Sequence, residues 1–130
     1  MILGQVRTAL AEAMSGLGFT AYAVLPGMPE LPAALVGVPT SLEYHPTLAG
    51  HSQYTFPVSL IAPWTDEESA QQLIDTAVSY GATGSVVSAL ESSTSTAWVS
   101  LYVASASNFQ PMTIGEARAV AVDLTVVVTA

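Results

Sequence analysis

In the stretch Gln53-Tyr54-Thr55-Phe56-Pro57-Val58-Ser59-Leu60-Ile61-Ala62, the apolar residues Tyr54, Phe56, Val58 and Leu60 fall on one face and Thr55, Pro57 and Ser59 on the other. A period of two is that of a strand with one face in a core, and strands of this kind build antiparallel sheets. Pro57 carries no N–H, so the strand either lies at a sheet edge or bulges there. On its C-terminal side, Thr65-Asp66-Glu67-Glu68 reads as a capping box, with carboxylates in the first turn where the helix dipole favours them. Ala70, Leu73, Ile74, Ala77 and Val78 follow at helical spacing, and Gly81 supplies the stop.

The pattern continues outward in both directions. Ile2, Leu3, Val6, Leu10, Ala13, Met14 and Leu17 mark an amphipathic helix over 2–17, which Gly16 and Gly18 end. Phe19 to Leu25 and Ala33 to Val38 read as strands, separated by the turn sequence Leu25-Pro26-Gly27-Met28-Pro29. The segment from Pro39 to Ser52 is longer than a tight hairpin needs and reads as a loop or a splayed hairpin tip. Ser85 to Leu90 suggests a further helical turn or two, capped by Ser85. Ala97 to Ser105 and Ala117 to Val128 read as strands, with Asn108 to Ile114 as a loop between them. The expectation is an α+β fold, a single mainly antiparallel sheet with two helices packed on one face, and residues 1–130 as one domain.

Composition narrows the function. Only Arg7 and Arg118 are basic against ten carboxylates, so the formal net charge is −8, and just 9% of residues are charged while 51% are apolar. Soluble domains are about a quarter charged, so this chain lacks the usual means of solvating its outside. No stretch reaches the roughly 18 apolar residues of a membrane helix, which leaves contact with other protein as the use of the apolar excess. Two widely separated arginines make no phosphate-binding patch, so gripping nucleic acid is excluded, whereas an acidic surface suits a protein beside DNA that must not hold it. There is no cysteine, hence no disulfide frame, thiolate metal site or cysteine nucleophile. The N-terminus is not a secretory signal, since Gln5, Arg7 and Glu12 interrupt any apolar run.

Nothing assembles into an active site by motif. Gly81-Ala82-Thr83-Gly84-Ser85 lacks the lysine of a phosphate-binding loop and reads as a helix stop followed by a new cap. The serines include no Gly-x-Ser-x-Gly elbow. Glu43, His45 and His51 carry zinc- or manganese-type donors, but their irregular spacing reads as solvated loop residues. Trp64 and Trp98 read as core or interface aromatics rather than a base-stacking platform, which would need basic neighbours. No catalytic residue, cofactor or metal ligand is assigned, and the protein is read as a non-enzyme.

The chain resembles, over nearly its whole length, the tail terminator proteins of long-tailed bacteriophages, the minor tail protein U-like group. The likeness rests on Ile2-Leu3-Gly4-Gln5-Val6-Arg7, Tyr22-Ala23-Val24-Leu25-Pro26-Gly27, Pro32-Ala33-Ala34-Leu35-Val36-Gly37-Val38-Pro39, Tyr54-Thr55-Phe56-Pro57-Val58-Ser59-Leu60, the Asp66 to Tyr80 helix with Ser85-Val86-Val87-Ser88-Ala89-Leu90, and Asp123-Leu124-Thr125-Val126-Val127-Val128. The resemblance implies a structural virion protein without a cofactor, found in the tail or neck and assembled in the host cytoplasm. It implies a homo-oligomeric ring, commonly of six, that caps the head-proximal end of the tail tube and stops its polymerisation. Its partners would be the tail tube protein and the head-tail connector or head-closure protein, with DNA passing through unbound and no membrane involved. Alternatives are another neck or tail protein (head-closure, tail-completion or tube subunit) or, from a different class, a small acidic ligand-binding protein or hydrolase.

A ring joins two different patches of each subunit. Leu42, Tyr44, Leu48 and Tyr54 in the Ser41 to Tyr54 segment, and Phe109 and Met112 near Pro111, mix apolar and polar character as interfaces do, and are the expected contact residues. Glu43, Glu91 and Glu116, in or beside expected loops, are the acids expected to line the opening.

Overall fold

The computed structural model describes all residues except Met1, Gly16, Gly18, 25–30, 45–51, Thr65, Asp66, Ala82, Thr94, Thr96, Val99 and 115–116; of Ile2, Glu67, Glu68, Ile114 and Ala117 it describes the backbone. Among the described residues the order is α1 (Ile2–Met14), β1 (Thr20–Tyr22), β2 (Ala33–Val36), β3 (Ser41–Glu43), β4 (Gln53–Pro63), α2 (Glu67–Val78), α3 (Val86–Ser92), β5 (Ser100–Ile114) and β6 (Ala117–Thr129). The strands form one sheet in the order β1-β2-β4-β6-β5, with β3 also paired to β4. Only β1 and β2 are parallel; every other pairing is antiparallel. The class is therefore α+β with a mainly antiparallel sheet, and a third helix stands where the sequence offered a turn or two.

Alternation in β4 sorts the chain into its layers. Tyr54, Phe56, Val58, Leu60 and Ala62 are buried and meet Val122, Leu124, Val126 and Val128 of β6 in the main core. Val6, Leu10 and Met14 of α1, Ile74 and Ala77 of α2, and Val86, Val87 and Leu90 of α3 join the same cluster. Helical spacing thus places one apolar stripe of each helix in a shared interior. On the sheet's other face Ile61, Ala119 and Ala121 form a smaller cluster with Leu31, Leu35 and Met112.

Pro57 sits neither at a sheet edge nor on a bulge of its own strand. Ser52 and Ala130 exchange two backbone hydrogen bonds of 2.9 Å, and Trp64 N–H donates to Arg118 O at 3.0 Å. Because bonded and non-bonded pairs alternate, even-numbered residues of β4 bond to β6 and odd-numbered ones face β2 and β3. Pro57 faces the gap where β2 has ended and β3 has not begun. Its carbonyl still accepts from Gly37 N–H at 2.8 Å, and Thr40 N–H reaches Thr55 O at 2.8 Å. Between the pairs Val36↔Val58 and Ser41↔Thr55 the neighbouring chain spends more residues than β4 does. The irregularity that proline requires is carried by the adjacent strand.

The segment from Asn108 to Ile114 is a correction. It is the second half of β5, paired to β6 down to Ile114↔Ala117, and Phe109 and Met112 are strand residues. Two register shifts, at Val103/Ser105 and Ser107/Gln110, break the alternation, and Asn108 takes a φ of 59° that asparagine tolerates. Pro111 opposes Val120, a pair outside the β5–β6 hydrogen bonds, so its missing N–H points away from the sheet.

The turn between α2 and α3 follows the expected chemistry. Gly81 and Gly84 have φ of +81° and +85°. Ser85 caps α3 by accepting from Ser88 N–H at 3.2 Å, while Ser88 Oγ accepts from Gly81 N–H at 2.6 Å. The capping-box residues Thr65 and Asp66 and the turn over 25–30 lie outside the described residues.

Candidate functional site

Of the exposed apolar groups among the described residues, those around Tyr44 and Phe109 lie towards opposite ends of the central strand. At the start of β4, the short strand β3 pairs Ser41, Leu42 and Glu43 with Thr55, Tyr54 and Gln53. Among the described residues this three-residue strand pairs on one side only, so it holds few hydrogen bonds, and all of its residues are exposed. Tyr44, just beyond it, is 72% exposed and Leu42 is 36% exposed, with the exposed Glu43 between them.

Past the end of β4, Trp64, α2 and the β5–β6 hairpin enclose a groove of about 380 Å³. Trp64, Ile74, Phe109, Pro111 and Val120 give it apolar walls, and Gln71, Asp75 and Gln110 line its polar parts. The bulge at Asn108 turns Phe109 out to this side, leaving the ring 56% exposed. The exposed Arg118 extends its guanidinium over Trp64, with Cζ 4.8 Å from the ring centroid, a cation–π contact of about 0.5–1 kcal/mol at an exposed site. One of the chain's two basic groups thus contacts Trp64, a residue that lines the groove.

The outer side of β5 is the long open edge of the sheet. Its Tyr102 is exposed, and the Val103 N–H, which faces away from β6, donates to Glu91 Oε2 at 3.0 Å. A charge on an edge amide hinders pairing with another strand at that point. On the strand's inner side, Asp123 accepts from Ser59 Oγ at 2.8 Å and Asn108 Nδ2 at 3.1 Å, which pins the bulge to the central strands. A broader depression of about 630 Å³ runs beside α1, lined by residues such as Gln5, Thr8, Glu12 and Ser95.

No family model and no curated protein matches this chain.

The expected contact residues divide. Tyr44 and Phe109 are exposed, and Leu42 lies at the margin. Tyr54 is a correction: it is 8% exposed, belongs to the main core and lies 6.2 Å from Phe56 between ring centroids. The β4 alternation turns it inward despite its place at the end of an irregular segment. Met112 is half-buried against Ile61, Ala119 and Ala121, so it supports the sheet rather than standing free. Leu48 lies outside the described residues. Of the acids, Glu43 is exposed, Glu91 is half-buried on the β5 edge, and Glu116 is outside the described residues.

Among the described residues, no three His, Asp or Glu side chains gather as a metal site, and no helix is long and apolar enough to cross a membrane. His45 and His51 lie outside them. The sequence reading named Trp64 as a core or interface aromatic and Phe109 beside Pro111 as a contact, but not their meeting with Ile74 and Asp75 of α2 and Val120 of β6, which come from different parts of the chain.

Proposed function

We propose that this chain is a structural subunit that assembles into a ring, and that the ring acts as a bacteriophage tail terminator: it caps the head-proximal end of the tail tube, ends its growth and receives the head connector. The observation that carries the assembly reading is the surface itself. A chain with 9% charged residues leaves, among the described residues, one side of a 15-residue strand without a neighbouring strand and exposes Tyr44, Tyr102 and Phe109. Aromatic side chains of this kind anchor interfaces, and open strand edges accept a neighbour's backbone. The terminator role rests on the sequence resemblance, and a net charge of −8 suits a subunit past which DNA slides without binding.

Particles assembled without the protein test the role. They should carry tails of abnormal length or tails unjoined to heads, and tails of normal length joined to heads would end the proposal. A head-closure, tail-completion or tube subunit would share the interface chemistry, and imaging of labelled protein on the virion separates these by position. The groove favours one further reading, since about 380 Å³ falls within the size range of small-molecule sites. A stable monomer that binds a small ligand there would support that reading instead.

A further inference from the structure

We infer that the arm Leu42-Glu43-Tyr44 of one copy seats in the groove between α2 and the β5–β6 hairpin of the next copy, with Glu43 facing Arg118. The inference rests on the reading that copies of this chain assemble, and it names the two surfaces that meet.

Distance excludes a contact within one chain. The arm is paired to β4 at Gln53, Tyr54 and Thr55, whereas Trp64 follows the last residue of the strand. At about 3.3 Å per residue, the strand holds the two sites roughly 30 Å apart. An arm anchored by backbone pairing at one end cannot fold over to the other. A contact between these patches therefore joins different copies, and because the patches differ it is head-to-tail, the kind that repeats into a closed ring or an open filament.

Chemistry selects the pairing. Tyr44 and Leu42 present an aromatic and an aliphatic group, and the groove offers walls of Trp64, Ile74, Phe109, Pro111 and Val120. Its volume accommodates a few side chains rather than a folded element. Copies that each carry a net charge of −8 repel one another, so a contact between them gains most where a cation meets a carboxylate. Arg118 is exposed and lies over Trp64, which lines the groove, and Glu43 lies between the two apolar residues of the arm. Asp75 also lines the groove and disfavours a second acid. It sets the direction of the guest, with Glu43 towards Trp64 and Arg118 and the uncharged Tyr44 and Leu42 along Ile74 and Phe109.

Charge reversal tests this at two exposed residues and costs the fold little, since Arg118 gives up only its contact over Trp64. The mass of the full chain, read across a concentration series by sedimentation or native mass spectrometry, should fall towards the monomer for Glu43→Arg and for Arg118→Glu. Each reversal should raise the concentration of half-assembly about tenfold or more, and the double reversal should restore most of the loss. Tyr44→Ser should act like a single reversal, while Tyr80→Ser, at another exposed tyrosine, should not. An oligomeric wild type whose mass is indifferent to the reversals would overturn the inference and leave the assembly reading standing. A wild type that stays monomeric throughout would overturn both. The chain has no cysteine, which allows a second measurement. Tyr44→Cys and Phe109→Cys made in separate preparations and mixed under oxidation should cross-link to each other, and cross-linking of each only to itself would count against the arrangement.

Discussion

Replacing Gly37 with alanine isolates the close approach that accommodates Pro57. A Cβ at position 37 would lie 2.8 Å from Pro57 Cγ and 3.1 Å from Pro57 O. The φ of Gly37 is not in the left-handed region, so the cost is one of space rather than backbone strain. The ring cannot swing aside freely, because Pro57 is fixed in a strand paired to β6, and Gly37 N–H is bonded to Pro57 O at 2.8 Å. Overpacking of this sort costs about 1–3 kcal/mol, against which alanine recovers about 0.4–1 kcal/mol from the unfolded chain. The expected net loss is about 1–2 kcal/mol, or roughly 3–10 °C in Tm for a domain of this size. Pro57→Ala removes the nearer of the two atoms, so Gly37→Ala in that background should cost less than half as much. Urea and thermal unfolding of the two single variants and the double variant, at one protein concentration, give the coupling. Wild-type stability in Gly37→Ala, or strict additivity in the double variant, would refute the packing argument.

Four other outcomes are expected. Ser85→Ala removes the α3 cap and should cost about 1 kcal/mol in urea unfolding, because Ser88 N–H then loses its partner. Phe56→Ala, at a fully buried ring, should cost about 3–5 kcal/mol and lower Tm accordingly. Tyr54→Ser should destabilise the isolated subunit by about 2 kcal/mol or more, while Tyr44→Ser leaves its stability within about 0.5 kcal/mol, as calorimetry can check. Glu91→Ala frees an edge amide, and hydrogen exchange at Val103 should become at least several-fold faster while the rest of β5 changes little.

What could be read from the chain was what repeats locally. Helical spacing over 2–17, the stripe from Ala70 to Val78 and the alternation through β4 and β6 each report their own burial, and all four elements are present, although α1 ends at Met14, before Leu17. Ser85 was legible because a cap is a contact with the next few residues. The second half of β5 was not, because two register shifts and Pro111 interrupt its period, and the strand there owes its existence to β6 across the ladder. The same reason hid the parallel pairing of β1 with β2. For the surface, Tyr44 and Phe109 were visible as aromatics in polar company, whereas Tyr54 was misplaced because its segment, not its parity, decided the reading. Beyond Phe109 and Pro111 the groove has no linear signature, since its walls come from α2, β5, β6 and Trp64.

The place of β4 in the sheet sets a schedule for making the protein. It pairs with β6 along its full length, yet α2, α3 and β5 all intervene in the chain. At translation rates of about 5–20 residues per second, β4 emerges several seconds before the strand that covers half of its backbone groups. During that interval β4 has an unpaired edge, and its row of Tyr54, Phe56, Val58 and Leu60 lacks its β6 neighbours Val122, Leu124, Val126 and Val128; a nascent chain in this state is a target for holding chaperones and for pairing with other nascent copies. Contacts so distant in sequence also make for slow folding. The interruption opposite Pro57 then serves production as well as architecture, because a proline in mid-strand denies a stray β-edge one of the amides it would need to zip along β4.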